Sequence, residues 1–574
     1  MKNLMKVSLV AVAMIFTLSS CNCYKKMMKE TQAGITVTCS PEIVTLKGDN
    51  AIATITVNIP AKTFHKWGVA KLTPVIMWDG GQAAGTPVFL QGEKVQDNYK
   101  VIPYKAGGSV TIDVNIPYQP AMRLSKLVIK AEGKCLKRGK KIKEFTAYPK
   151  PIFVANAVSS LQLMADNYAQ VAIAPDALKR VTEVNQEAKI MFQINKADVR
   201  KDQLNSDEIS ALEKFIIDNT GDVKKKVGDV YTQAYASPDG PLDLNDKLSN
   251  KRGETTHKAL GEKFKKDKVP ASAKFDINAM GEDWAGFKEL VSKSDIADKE
   301  LILQVLSMYS DPQVRDREIK NMTAAFQVLA EKILPELRRS KMNVNVQIEG
   351  LTDDELKAAV AADINTLKLE EMLFAATLFN DNATKAKCYK AAADKFNCYR
   401  AWNNLGCVKA WEGDYAGAKE AFLKASSINN SAAQVVNNLG VVALAEGKKA
   451  EAAKFFAASN TPEAKYNKGL VELANGNYSA AAASLNGYNK GLAQLLNGDL
   501  AAAKSTLASA KGWRADYVKA VIAAREGDAN GLISNLKAAI NGSSACGCAK
   551  KLAATEVNFV NFFEHAEFVA IVLK

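Results

Sequence analysis

Residues Tyr235–Arg252 read YASPDGPLDLNDKLSNKR, and the segments on either side decide how the middle of the chain folds. Asp229 to Tyr235 has the composition of a strand and delivers a Ser-Pro-Asp-Gly turn at its end. Asn245 to about Phe264 continues as a helix with Arg252 on its first turns. Upstream, Ile190, Phe192 and Ile194 alternate as a first strand. Asn205 with Glu208 makes a capping-box start, and Ile209, Leu212, Phe215 and Ile216 give the next helix one apolar face. Downstream, Lys274 to Ala279 reads as a third strand. Val344, Val346 and Ile348 alternate with Asn343, Asn345 and Gln347 as a last one. Between these two strands lies a helical insertion at about 284–337, with apolar spacing at Leu301, Val305 and Leu306 and again at Phe326, Leu329 and Ile333.

Tyr235, Gly240, Asn245, Leu248, Ser249 and Arg252 fall at the spacing of the signature of OmpA-like peptidoglycan-binding domains, which this region, 188–350, resembles. Met280-Gly281-Glu282-Asp283 and Leu337-Arg338-Arg339 resemble two further turns of that family. The resemblance implies an α/β sandwich that holds diaminopimelate of a peptidoglycan stem peptide. In the family an Asp takes its ammonium, and an Arg fifteen positions later takes its carboxylate. Arg252 occupies the Arg position and Ser237 the Asp position. The candidate binding residues are therefore Arg252, on the exposed face of its helix, Asn245 shaping the loop, and Ser237 or Asp239 facing the ammonium. The alternative for Arg252 is a helix-surface arginine paired with Glu254 or Asp246.

From 351 to 574 the chain is Ala-rich and helical. Trp402, Leu405, Gly406, Gly413, Asp414, Tyr415, Ala418, Phe422 and Ala425 form a pattern of small and large residues, and Leu439, Gly440, Gly447, Ala452 and Phe456 repeat it 34 positions on. Gly476, Gly498 and Gly527 mark later turns at intervals of 29, 22 and 29, with Ala481 and Leu485, Ala503 and Leu507, and Leu532 and Leu536 as packing pairs. Residues 369–396 read as a degenerate first unit. The pattern resembles tetratricopeptide repeats, which implies an α-solenoid closed by capping helices, with a concave groove for a peptide or helix of a partner protein.

The N-terminal part is basic: residues 1–150 carry 22 Lys or Arg against 9 Asp or Glu, nearly the whole net charge of +14. Residues 1–20 read as a signal peptide, with Lys2 and Lys6 before the apolar run Val7 to Leu18. Leu18-Ser19-Ser20-Cys21 resembles a lipobox, which implies acylation of Cys21, palmitate among its chains, and a tether over 21–33. Lys25 and Lys26 stand where surface-exported lipoproteins carry acidic residues, so the body is expected to face the periplasm from the outer membrane. An export signal also excludes nucleic acid as a partner. Residues 34–150 alternate with period two. TITVNIP at Thr54 and TIDVNIP at Thr111 are near copies, and an antiparallel β-sandwich is expected. A connector over 151–187, with a short helix from Ala157 to Ala165, leads to the central domain.

Catalytic and metal chemistry have little to build on. His65, His257 and His565 fall in three different units, Cys546-Gly-Cys548 is tighter than metal motifs use, and neither a phosphate-cradling glycine loop nor a nucleophile elbow occurs. No catalytic residue, metal or cofactor is expected. An exported chain permits disulfides, for which Cys39 with Cys135 and Cys388 with Cys398 are candidates. The whole is expected to be a multidomain α+β protein that resembles outer-membrane lipoproteins of the Bacteroidetes type. It would link the membrane to peptidoglycan through the OmpA-like part and to another envelope protein through the repeats. The alternative is a scaffold or assembly factor of an outer-membrane, fimbrial or secretion complex that does not bind peptidoglycan.

Overall fold

A computed structural model describes residues 34–136, 145–147, 151–270 and 275–574. Cys21, its signal and tether, and most of the Lys-rich stretch after Lys134 lie outside the described residues. The chain divides into two compact units: one joins the segment up to Pro175 with Asp381–Lys574, and the other is Asp176–Asn380.

In the first unit the expected sandwich forms from two sheets. One runs β11 (Val158–Ser159), β1 (Thr36–Lys47), β2 (Asn50–Ile59), β7 (Gly108–Pro117). The other runs β10 (Ile152–Asn156), β8 (Ser125–Cys135), β3 (Gly68–Trp78), β5 (Val88–Gly92), β6 (Lys100–Ile102), with β4 (Gly81–Ala84) on β3 and β9 (Thr146–Ala147) on β8. The two near-copy sequences are direct neighbours in β2 and β7, where Ile55 pairs with Ile112 and Val57 with Val110. Their apolar sides are fully buried in one core, as a period of two requires when one sheet face is covered. Trp78 packs at the edge of this core, half-buried, and Trp67 is half-buried beneath Lys94.

Most of the remainder of the first unit is a stack of antiparallel helix pairs, Tyr399–Trp411 with Tyr415–Ile428, Ala433–Ala445 with Lys449–Ala458, Pro462–Ala474 with Tyr478–Ser484, Gly487–Leu496 with Leu500–Leu507, and Trp513–Glu526 with Ala529–Gly542, followed by short helices from Cys548 to Leu573. Gly413, Gly447, Gly476, Gly498 and Gly527 each take a left-handed φ at the turn within a pair, which is why glycine recurs there. Asn382–Phe396 packs before the first pair. Cys39, Cys388 and Cys398 are free thiols, so neither expected disulfide forms; Cys135 is bridged, but not to Cys39. Instead the bridge within the helical array joins Cys546 to Cys548.

The second unit is a four-stranded sheet in the order β12 (Val181–Met191), β15 (Arg339–Glu349), β13 (Lys225–Ala236), β14 (Phe275–Glu282). Helices α1 (Asp207–Asn219) and α2 (Leu242–Lys266) pack on it through Ile209, Leu212, Ile216 and Leu260 against Ile190, Val230, Met342 and Val344. Because β13 and β14 are parallel, a crossover is required, and α2 supplies it. The N-cap of α1 is Ser206, one residue later than the sequence suggested, and its hydroxyl accepts from the Ile209 amide. The first strand starts at Val181 and takes in the end of the expected connector; Ile194 lies beyond it. Between β14 and β15 the insertion forms α3 (Trp284–Lys293), α4 (Lys299–Met308), α5 (Pro312–Asn321), α6 (Thr323–Lys332) and one more turn at Leu334–Leu337. These helices have a core of their own built on Phe287, Ile302, Leu306 and Leu329. Among the described residues no helix is long and apolar enough to cross a membrane.

Candidate functional site

Two places concentrate polar side chains on main chain: the loop after β13 and the first helices of the helix pairs. In the first, Ser237-Pro238-Asp239-Gly240 leaves β13 and enters α2. Asn245 Nδ2 donates to Gly240 O at 3.3 Å and to Glu282 Oε1 at 2.8 Å, so it shapes the loop as expected. Glu282 also accepts from Trp284 Nε1 at 2.8 Å, and Ser249 Oγ accepts the Gly281 amide at 3.2 Å. One face of α2 thus fixes both the 237–240 loop and the end of β14.

Arg252 is not on an exposed face. It is 1 % exposed and lies under the Phe192 ring, 5.1 Å from its centroid. Its Nε donates to Lys196 O at 3.0 Å, Nη1 to Tyr235 O at 2.9 Å and Nη2 to Gln193 O at 3.2 Å. Main-chain carbonyls, rather than Glu254 or Asp246, satisfy it. Burial, and then the neighbouring Arg338 charge, pull its pKa down to about 10, which still leaves it protonated at neutral pH. A buried guanidinium without a carboxylate needs such oxygens, because an unpaired charge there is costly.

The remaining members face each other. Ser237 Oγ donates to Asp239 Oδ1 at 2.6 Å, and Arg338 reaches both, with Nε 3.3 Å from Ser237 Oγ and Nη2 3.3 Å from Asp239 Oδ2. Lys320, on α5 of the insertion, donates to Asp239 O at 3.1 Å and pairs with Asp316 at 2.6 Å. The insertion therefore covers the loop. Behind it Arg339 and Asp283 form a buried pair at 2.7 Å, with Asp283 also capping α3 through the Gly286 amide. Tyr235, the aromatic of the motif, has its phenol pKa raised by burial and then by Asp283. Arg338, Lys320 and Asp283 were not among the expected site residues. Arg338 stands in the quoted Leu337-Arg338-Arg339 turn, which was the available signal.

The second place went unread in the sequence. The segment Asp166–Ala174, expected to be part of a connector, runs along the first helices of four successive pairs, and asparagines from each of those four grip its main chain. The Ala174 amide donates to Asn404 Oδ1 at 2.8 Å, and Asn404 Nδ2 donates to Ala174 O at 2.8 Å. Asn438 does the same for Ala172 at 2.7 and 2.8 Å, Asn467 for Gln170 at 2.7 and 2.7 Å, and Asn489 for Asp166 at 2.9 and 2.8 Å. Asn403 and Asn437 add second donors to Ala172 O and Gln170 O, both at 3.0 Å. Cys407, fully buried below, donates its thiol to Ala172 O at 3.3 Å, and burial holds its pKa up. Alternate residues Ala169, Val171 and Ile173 pack against the helices. The signal in the sequence was an Asn two positions before each helix glycine: Asn404 before Gly406, Asn438 before Gly440, Asn467 before Gly469 and Asn489 before Gly491. At the next repeat Val518 takes that place and the ladder ends.

The segment is anchored at its start. In place of the expected helix from Ala157 there is one turn at Leu161–Met164. Gln162 there bonds to both the sandwich and the helices: Nε2 donates to Gly48 O and Ala474 O at 3.2 and 2.8 Å, while Oε1 accepts from the Gly48 amide and the Tyr478 hydroxyl at 3.1 and 2.9 Å.

Among the described residues no group of three or more His, Cys, Asp or Glu side chains is placed to hold a metal. No curated protein sequence matches the chain. Similar solved structures include a tetratricopeptide repeat protein from Parabacteroides merdae, at 13 % identity and a TM-score of 0.28, covering 36 % of this chain and 90 % of that one. PilF of Pseudomonas aeruginosa follows at 17 % identity and 0.24, covering 35 % and 87 %. YrrB, described as a repeat protein with an unusual peptide-binding site, gives 17 % and 0.21, covering 34 % and 97 %. Residues 399–431, the first of the helix pairs gripped by this ladder, match the tetratricopeptide repeat family.

Proposed function

We propose that this chain is a non-enzymatic envelope scaffold, held to the outer membrane by lipid on Cys21, facing the periplasm, and acting through protein–protein contacts of its helical repeats. In this reading its central unit, a four-stranded sheet with two helices packed on it, is an OmpA-like domain that has given up the stem-peptide clamp. One observation carries this: Asp239, the carboxylate nearest the expected ammonium position, is already paired with Arg338, and the two side chains are only 18 % and 12 % exposed. Displacing Arg338 would leave a partly buried charge unpaired, at about 3–5 kcal/mol, whereas a charge-assisted bond to a ligand ammonium returns about 1.5–3 kcal/mol. Arg252 has no accessible edge to offer a ligand carboxylate, since it is 1 % exposed and three of its five N–H donors are engaged by main-chain carbonyls. The peptidoglycan-linking reading keeps one support, the bond by which Asn245 of the motif fixes the loop at Gly240.

Cosedimentation with purified sacculi tests the choice between them. The purified chain is expected to stay in the supernatant, and saturable pelleting lost in Arg252→Ala would restore the linking role. The anchor is tested separately: Cys21→Ser is expected to abolish palmitate labelling and release the body as soluble protein. Labelling that persists in the variant removes the lipid from the proposal.

A further inference from the structure

We infer that the face of the repeats lined by these first helices is a binding site for extended peptide main chain, that residues 166–174 are its resident ligand, and that a protein segment of the same kind can take their place. This rests on reading the repeats as a protein-binding array, and not on the lipid anchor or on the ligand of the central unit.

The ladder recognises what every peptide has. Each asparagine both accepts from an amide and donates to the carbonyl of one residue, the pairing a neighbouring strand would give. Side-chain selection comes from the two buried positions, Ala172 and Ala174, which are 2 % and 1 % exposed. The intervening Val171 and Ile173 lie against apolar helix surface. A competing segment would therefore be extended, with Ala, Gly or Ser at two alternate positions and β-branched residues between them. Tyr168 is exposed, and its amide bonds to the segment's own Asp166, so no asparagine of the ladder is engaged there. The ladder spacing of 34, 29 and 22 residues is carried by helices, while the gripped strip is held by side chains alone.

Tethering explains why the groove is filled. A linked segment competes at an effective concentration on the order of millimolar, so a free peptide at micromolar concentration loses to it unless the resident segment is weakened. A buried carboxylate at position 172 or 174 would do this, with the milder effect at 174, where the Arg400 guanidinium donates to the adjacent Pro175 O at 3.2 Å.

The test uses the purified full chain and a fluorescent synthetic peptide of residues 164–176, followed by anisotropy. Wild type is expected to show no saturable binding at micromolar peptide. Ala172→Glu and the milder end-rung variant Ala174→Glu should each bind at least about tenfold more tightly than wild type. Adding Asn438→Ala to either should abolish that gain. Cys407 gives a readout tied to the groove: under native conditions it should be alkylated in the two Glu variants, be unreactive in wild type, and become protected again at saturating peptide. Folded Glu variants, with helical circular dichroism retained, that fail to bind the peptide would overturn the inference. So would failure of both variants to fold, since the segment would then be core and not a displaceable ligand. Equal binding by wild type would also overturn it, by placing the peptide elsewhere.

Discussion

Ser237 illustrates how one residue changes meaning once its neighbours are known. By the motif alone, an Asp at 237 would complete a clamp. In the structure Ser237 Oγ lies 2.6 Å from Asp239 Oδ1 and shares Arg338 with it, so Ser237→Asp would set two carboxylates on one guanidinium. Like charges at that distance raise the pKa of one of them and oppose folding while both are ionised. Ser237→Asp is therefore expected to gain no sacculus binding and to melt lower than wild type at pH 8, with the deficit shrinking toward pH 5; pelleting by the single variant would count against the closed clamp. Glu556 supplies a second pH-dependent residue. Burial raises its pKa above the ordinary value, against the opposing pull of Asn558 and Arg525. Since its folded pKa exceeds the unfolded one, the unfolded chain ionises first as pH rises, and stability is lost from about pH 4.5 upward through the folded pKa. Glu556→Gln should then melt higher than wild type at pH 7.5 and close to it at pH 4. Arg252 could not be read as buried from sequence, because its partners are carbonyls, which every residue carries.

Elements whose partners lie close in sequence, or whose faces differ in polarity, were legible. The helix pairs followed from glycine spacing, and the reason is steric: a Cβ on Gly440 would sit 2.6 Å from the Phe456 ring, and one on Gly406 would sit 2.5 Å from Phe422. Gly440→Leu is accordingly expected to lower stability by about 1–3 kcal/mol through overpacking, measured by urea unfolding; an unchanged midpoint would contradict this packing. Strands β2 and β7 were legible because one side is wholly apolar. Residues 181–187 of β12 were not, because that end of an edge strand is largely exposed and reads VTEVNQE, with no buried face to set a period. Asp166–Ala174 escaped for a different reason. Its hydrogen-bond partners lie 230 to 323 positions away and are side-chain amides, so neither local propensity nor strand pairing marks it.

At the scale of the whole chain, the first unit is discontinuous in sequence, and the segment after the sandwich binds its two parts beside one direct buried bond, Tyr478 OH to Leu46 O at 2.6 Å. Leu161, Met164 and Ala165 enter the core of the later repeats, Tyr488 OH donates to Met164 O at 2.9 Å, and Gln162 bonds at once to Gly48 of the sandwich and to Ala474 and Tyr478 of the helices. Sandwich and repeats should therefore unfold together, although each has a core of its own. Gln162→Ala tests this, because it strands the Gly48 amide and the Gly48 and Ala474 carbonyls where water is largely excluded, at about 1–3 kcal/mol for each group left unsatisfied. Hydrogen exchange read by mass spectrometry is expected to show β2, β7 and the helices from Pro462 to Leu507 opening at one common rate in wild type. In the variant the sandwich strands should exchange at a rate separate from the helices, with the Asn ladder still protecting residues 170–174. Separate rates already present in wild type would mean that the segment merely lies in the groove and transmits no stability from one part to the other.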